Sequence, residues 1–276
     1  MARMFGFIGN RSDLGARVLE VNADTLRVKR PQDQSLGWGV GFFQSGEVLL
    51  RRRPLDERDV IDLAEAAENV RTDVLIGHVR RASIGALRTE NTHPFRYRMW
   101  LFAQTGTIGG FSRLRERLLA SQPEFLRRNV RGDTDSELFF YLFLSFLHDA
   151  GHLDEAHVAP EHVATALRAS ISLVDRLSAE EGHGENGGDL LVTNGEHMIA
   201  VHRNGVMAYR VLHGRHDVEE LLGGEGLEKV RIPSVDTTRF SLIASELDNV
   251  PPGWTPVEGR AIVTMTRTDD PVTEPL

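Results

Sequence analysis

The chain has 276 residues, 41% hydrophobic and 26% charged, the composition of a globular protein with a large core in one domain or at most two. Its 40 acidic side chains outnumber the 32 basic ones for a net charge of −8, which argues against a nucleic-acid partner. It contains no cysteine, so disulfides, thiolate catalysis and cysteine metal ligands are excluded.

The chain opens "MARMFGFIGN", an apolar run that reads as a strand over residues 4–8 and is too short for a signal peptide. Further strands are expected over 39–43, 48–51, 74–78 and 99–104, and helices over 60–69, 111–120, 136–149 and 162–179. The basic triplet Arg51-Arg52-Arg53 and the pair Arg127-Arg128 have acidic neighbours and read as solvated loop charges. The segment 136–149 is apolar on nearly every face, so it is expected to be buried between sheets. Its apolar run, 138–147, is well under membrane-spanning length, and a cytoplasmic protein with no membrane partner is expected.

After the glycine-rich "EEGHGENGG" the pattern turns to short β segments at 190–193, 198–202, 206–211, 241–245 and 261–266. Many strands around a few central helices predict a layered α+β protein with mainly antiparallel sheets. The polar, proline-bearing end reads as a flexible tail over 268–276, leaving 1–267 as the domain. His148, His152, His157 and His162 recur at helical spacing, but Gly151 and Pro160 interrupt them, so a solvated loop is expected and no metal site.

Asp135 stands at the start of the buried helix, where free N–H groups and the helix dipole favour a carboxylate, and a plain N-cap would account for it. Its sequence neighbours suggest more. "GWGVGFF", "GHVRRASIGALRTENTHPF", "FAQTGTIGGF" and "RGDTDSE" follow the N-terminal strand in that order, and "LLVTNGEHMIAVHR" and "FSLIASELDNVPPGWTPVEGRAIVTM" continue to the C-terminal half. In this order and spacing the chain resembles the class II glutamine amidotransferases, N-terminal-nucleophile hydrolases, and within them the small stand-alone members. The resemblance implies a four-layer αββα sandwich of two antiparallel sheets.

The resemblance also implies a chemistry. After removal of Met1, a cysteine at position 2 attacks the side-chain amide of glutamine, with its own α-amine as base. Arg80 matches the arginine that pairs with the substrate α-carboxylate, Asp135 the carboxylate that holds the α-ammonium, and Ser83 and His93 residues lining the same pocket. Gly106 matches the glycine whose N–H is half of the oxyanion hole.

This chain departs from that pattern where the chemistry happens. Position 2 is Ala, with nothing to attack a carbonyl, and the family's Asn-Gly oxyanion pair reads Thr105-Gly106. Losing one oxyanion donor typically costs about 10²–10³ in rate, and losing a nucleophile on the order of 10⁶. Leu36 stands before Gly-Trp-Gly, where members commonly carry a polar residue. Thr107 and Ser83 have no evident adjacent base to make them replacement nucleophiles. Two changes at the reacting centre favour an abandoned reaction over a single introduced substitution.

Three readings follow. The first is an inactive amidotransferase-like subunit with a retained glutamine or γ-glutamyl pocket, serving a protein partner or a separate synthase-type subunit. The second is an active glutamine amidohydrolase or γ-glutamyl hydrolase seen as an Ala2 variant, and the third a purely structural protein. None calls for a cofactor.

Overall fold

The computed structural model describes residues 3–32, 34–81, 84–222 and 235–276. In the N-terminal half the strands are β1 (Arg3–Gly9), β2 (Arg27–Lys29), β3 (Leu36–Gln44), β4 (Glu47–Asp56), β5 (Val60–Asp62), β6 (Val74–Arg81), β7 (Phe95–Tyr97) and β8 (Trp100–Gln104). The C-terminal half adds β9 (Leu190–Thr193), β10 (Met198–His202), β11 (Ala208–His213), β12 (Arg239–Ser245), β13 (Thr255–Pro256), β14 (Ala261–Met265) and β15 (Val272–Pro275). The α-helices are α1 (Gly15–Val21), α2 (Ala23–Leu26), α3 (Leu63–Ala66), α4 (Phe111–Ala120), α5 (Glu124–Arg127), α6 (Asp135–Asp149), α7 (Pro160–Glu180) and α8 (Gly214–Leu221).

Seven strands form one sheet in the order β13-β11-β12-β1-β6-β3-β4, and six form a second in the order β15-β14-β10-β9-β8-β7. Pairing is antiparallel in both. Alternation along β1 shows how the layers are made. Met4 and Ile8 point into the core between the sheets with Ile76, Leu101, Leu191 and Met198, while Phe5 and Phe7 point the other way, onto Leu14, Val18 and Leu63. Gly6 lies in this seam: a Cβ there would come within 2.6 Å of Met198 Sδ. On the far face of the six-stranded sheet, Phe102, Val192 and Ile199 pack under α4, α6 and α7. The result is the four-layer αββα sandwich that the resemblance implies.

Several expectations need correction. The helix α6 is not between the sheets. It lies on the outer face of the six-stranded sheet, walled in by α4 and α7, and its all-round apolar character serves those helices. The stretch 60–69 is the short strand β5 followed by the single-turn α3, because Asp62 caps Ala64 N at 2.8 Å and restarts the chain as a helix. Arg51, Arg52 and Arg53 lie in the strand β4, not in a loop. The tail forms β15 on the edge of the second sheet, where Arg168 Nη2 meets Glu274 at 2.8 Å and Arg168 Nη1 donates to Pro275 O at 2.7 Å. Leu36, at the start of β3 in the seven-stranded sheet, is fully buried.

Phe140 is fully buried in α6 and stacks on Phe102 at 5.2 Å between ring centroids. The substitution Phe140→Ala is expected to cost about 3–5 kcal/mol of unfolding free energy, read as a lowered denaturation midpoint with an unchanged slope.

Candidate functional site

Three neighbouring strands of the seven-stranded sheet end at one rim of the sandwich. Met4 of β1 is opposite His78 of β6 and Ser245 of β12, so β6 delivers Arg80 and β12 delivers Glu246 to the same place. From the other sheet, β8 ends at Gln104 and brings Thr105 and Gly106. The start of α6 supplies Asp135. These groups, with His78 and His93, line one cleft of about 260 Å³. Of the residues singled out from the sequence, Arg80, His93, Thr105, Gly106 and Asp135 come together, while Ala2 and Ser83 lie outside the described residues.

The two loops that form the floor cross closely. Thr105 N donates to Asp189 O at 2.8 Å, and Asp189 N donates to the Thr105 hydroxyl at 2.9 Å. Gly106 has φ +83, and a Cβ on it would sit 2.8 Å from Gly187 O. Gly188 has φ +104, and its Cβ would fall 2.1 Å from Thr105 O. Both positions therefore require glycine. Behind them the buried Asp189 carboxylate accepts from Arg203 N at 2.8 Å and lies 3.0 Å from His202 Nδ1.

Arg80 and Asp135 are both buried and do not pair with each other. The Arg80 guanidinium donates to the carbonyls of Ile84 at 2.5 Å, Ala86 at 3.3 Å and Gly85 at 3.4 Å, which fixes its fork at the cleft wall. Burial lowers its pKa, and the charges of Asp133 and Asp135 oppose that shift. Asp135 is the first helical residue, not the N-cap. The cap is Thr134, whose hydroxyl accepts from Glu137 N at 3.3 Å. The Asp135 carboxylate accepts from Ile108 N at 2.8 Å and Ser136 N at 2.9 Å, tying the turn after Gly106 to α6. Burial pushes its pKa up despite those bonds.

Three groups of the cleft were not singled out from the sequence. His78 stacks against His93 with ring centroids 4.3 Å apart, and among the described residues neither ring has a hydrogen-bond partner of good geometry. Burial, with the Arg80 charge behind it, pushes His78 down to about 3 against a weaker contribution from the Gln104 backbone, and His93 is lowered well below the usual histidine range for the same first reason. Both rings are neutral. Gln104 presents a buried Oε1 that has no partner among the described residues. Burial raises the pKa of Glu246, with the Asp189 charge adding to it and a hydrogen bond from Thr105 opposing it. His78 was legible in principle, two residues before Arg80 on the same face of β6. Glu246, 166 positions beyond Arg80 by their sequence numbers, carries no local signal. Among the described residues, no group of three or more His, Asp or Glu side chains is disposed to hold a metal ion, and no helix is long and apolar enough to cross a membrane.

Comparison with known proteins agrees with this architecture. The family described as "Glutamine amidotransferases class-II" matches residues 12–257. The probable glutamine amidotransferase DUG3 of Saccharomyces cerevisiae is 34% identical over 130 residues, 45% of this chain and 36% of its own. A putative glutamine amidotransferase of Haemophilus influenzae is 25% identical over 173 residues, 59% of this chain and 51% of its own. The matched segments thus span a third to a half of these relatives. A glutamine aminotransferase class-II domain protein from Silicibacter pomeroyi superposes with a TM-score of 0.62 at 18% identity, covering 99% of each chain. The glutamine phosphoribosylpyrophosphate amidotransferase of B. subtilis superposes at 0.54 and 16% identity, over 99% of this chain and 49% of its own. At these identities the two structures share the fold.

Two outcomes follow from the geometry. The substitution Gly188→Ala is expected to destabilise by about 2 kcal/mol or more, because a left-handed residue would gain a side chain against a backbone oxygen; thermal melts check it. His78 has a folded-state pKa below its unfolded value, so the unfolded state binds more protons in the window from 6.5 down to about 3. Stability is therefore lost as pH falls through that window. His78→Gln is expected to remove this loss, a difference of up to about 2 kcal/mol at pH 5 that vanishes above pH 7.5, measured by urea melts of both proteins across that range.

Proposed function

Since the chain belongs to the class II glutamine amidotransferases, we propose that it is a catalytically inactive member, a binding subunit that holds glutamine or a γ-glutamyl compound and serves a protein partner. The observation that carries this reading is a cleft that keeps Arg80, Asp135 and Gly106 together in a chain with Ala at position 2 and no cysteine anywhere. A forked guanidinium suits an α-carboxylate, and a buried carboxylate whose pKa is raised gains from an incoming ammonium. Thr105 supports the same reading. Its hydroxyl accepts from Asp189 N at 2.9 Å and donates to Asp189 O at 3.4 Å, so it is turned to the loop crossing and does not replace an amide donor aimed at an oxyanion.

On this reading each residue has a binding role. Arg80, oriented by the three carbonyls of 84–86, meets the ligand carboxylate, and Asp135 meets the ammonium. The neutral rings of His78 and His93 form an uncharged wall, and the Gln104 oxygen accepts from the side-chain amide. No bond to the ligand is made or broken, and water finds no activated acyl group to attack.

The second reading, an amidohydrolase seen as an Ala2 variant, predicts different behaviour. The purified protein is expected to release no ammonia from glutamine above background, and Ala2→Cys alone to restore little, because nucleophile and oxyanion donors act as a unit. Robust turnover by Ala2→Cys alone would favour the second reading, with Ala2→Cys/Thr105→Asn as the fair comparison. Calorimetry with glutamine, glutamate and a γ-glutamyl peptide is expected to show binding that Arg80→Ala abolishes in a protein that still melts cooperatively. No heat from any of the three would leave only a structural role.

A further inference from the structure

A larger cleft, of about 640 Å³, lies on the other side of the first turn of α6. Asp135 faces the cleft described above, and Glu137, two residues on, lines this one. Arg52, Arg96 and Arg131 line it as well, and among the described residues none of the three has a carboxylate within 4.0 Å. The neighbouring Arg98 is paired with Asp154.

Glu137 acts on Arg52 through its charge but forms no ion pair within 4.0 Å with any of the three arginines. Its carboxylate accepts from Gly132 N at 2.6 Å and Arg131 N at 3.0 Å, and is held against its own loop. Arg52 donates to the carbonyls of Thr89 at 3.1 Å and Thr92 at 3.2 Å; burial lowers its pKa, and the charges of Glu137 and Glu90 oppose that shift. Arg96 donates to Val48 O at 2.7 Å and Arg98 O at 3.0 Å. The guanidinium groups of Arg52 and Arg96 are thus oriented by backbone oxygens, and among the described residues neither has a carboxylate within 4.0 Å. One wall is aromatic, Phe95, Tyr97 and the buried Tyr141, with Tyr97 and Tyr141 edge to face at 6.0 Å, and Leu50, Thr89, Glu90 and Asn129 complete the lining.

We propose that this cleft is a second ligand site, for a small organic anion whose phosphate or carboxylate meets Arg52, Arg96 and Arg131 and whose flat ring packs on the Phe95–Tyr97–Tyr141 wall. Forked guanidinium groups match the planar carboxylate and the tetrahedral phosphate, and a ring against tyrosine edges adds area that an inorganic ion lacks. The site is independent of the glutamine-type cleft and of whether that cleft binds anything.

The test is calorimetry of the full chain with phenyl phosphate, benzoate, inorganic phosphate and phenol. Phenyl phosphate or benzoate is expected to bind at least about fivefold more tightly than inorganic phosphate or phenol, and the stronger of the two identifies the anion. Arg131→Ala, at an exposed position, is expected to weaken that binding at least about fivefold without moving the melting temperature. Raising the salt to about 0.5 M is expected to weaken it too, whereas saturating glutamine is not. The proposal is overturned if neither aryl anion binds at about 5 mM, if inorganic phosphate binds as tightly as phenyl phosphate and benzoate, or if Arg131→Ala and Arg52→Gln both leave the affinity unchanged in folded protein.

Discussion

The site depends on two loops from neighbouring strands crossing at a separation that only glycine permits. Gly106 and Gly188 both have positive φ, and a side chain on either would collide with the backbone of the other loop. The crossing is locked by three hydrogen bonds between Thr105 and Asp189. Asn186 reinforces it by accepting from Gly109 N at 2.7 Å and donating to Asp175 at 3.0 Å. Everything at the cleft floor takes its position from this crossing, including the Gly106 amide.

Around that floor the charged groups are bound chiefly to backbone. Arg80 holds three carbonyls and Asp135 two amides, so each orders a loop and lines a cleft at once. A buried ion pair between them would have collapsed the space. Satisfying each separately leaves the cleft open and keeps two opposite charges apart in a partly desolvated place. The two buried histidines avoid the same cost by staying neutral.

The first turn of α6 joins this cleft to the larger one. The capping sequence Thr134-Asp135-Ser136-Glu137 places one carboxylate on each side, with Thr134 closing the helix start between them. Asn91 links the turn at 89–91 to the same region by accepting from Asp133 N at 3.0 Å. A short, strongly patterned segment thereby positions groups on both clefts, and the buried apolar body of the helix keeps it in place.

Motif order and short apolar segments were enough to read the family and the sandwich, because those signals are local: apolar runs at 190–193 and 198–202 and glycine-rich turns between motifs. Local signals also misled. An amphipathic window at 60–69 gave way to a strand and one helical turn once Ile61 and Leu63 found separate places under the sheet, and a polar tail became an edge strand because Arg168 was there to receive it. What Arg80 and Asp135 bond to, the neutrality of His78 and His93, the arrival of Glu246, and three unpaired arginines around one cleft were decided only by tertiary structure. Each depends on which backbone oxygens, amides and charges arrive from distant segments, and on how much water they exclude. No spacing along the chain encodes that.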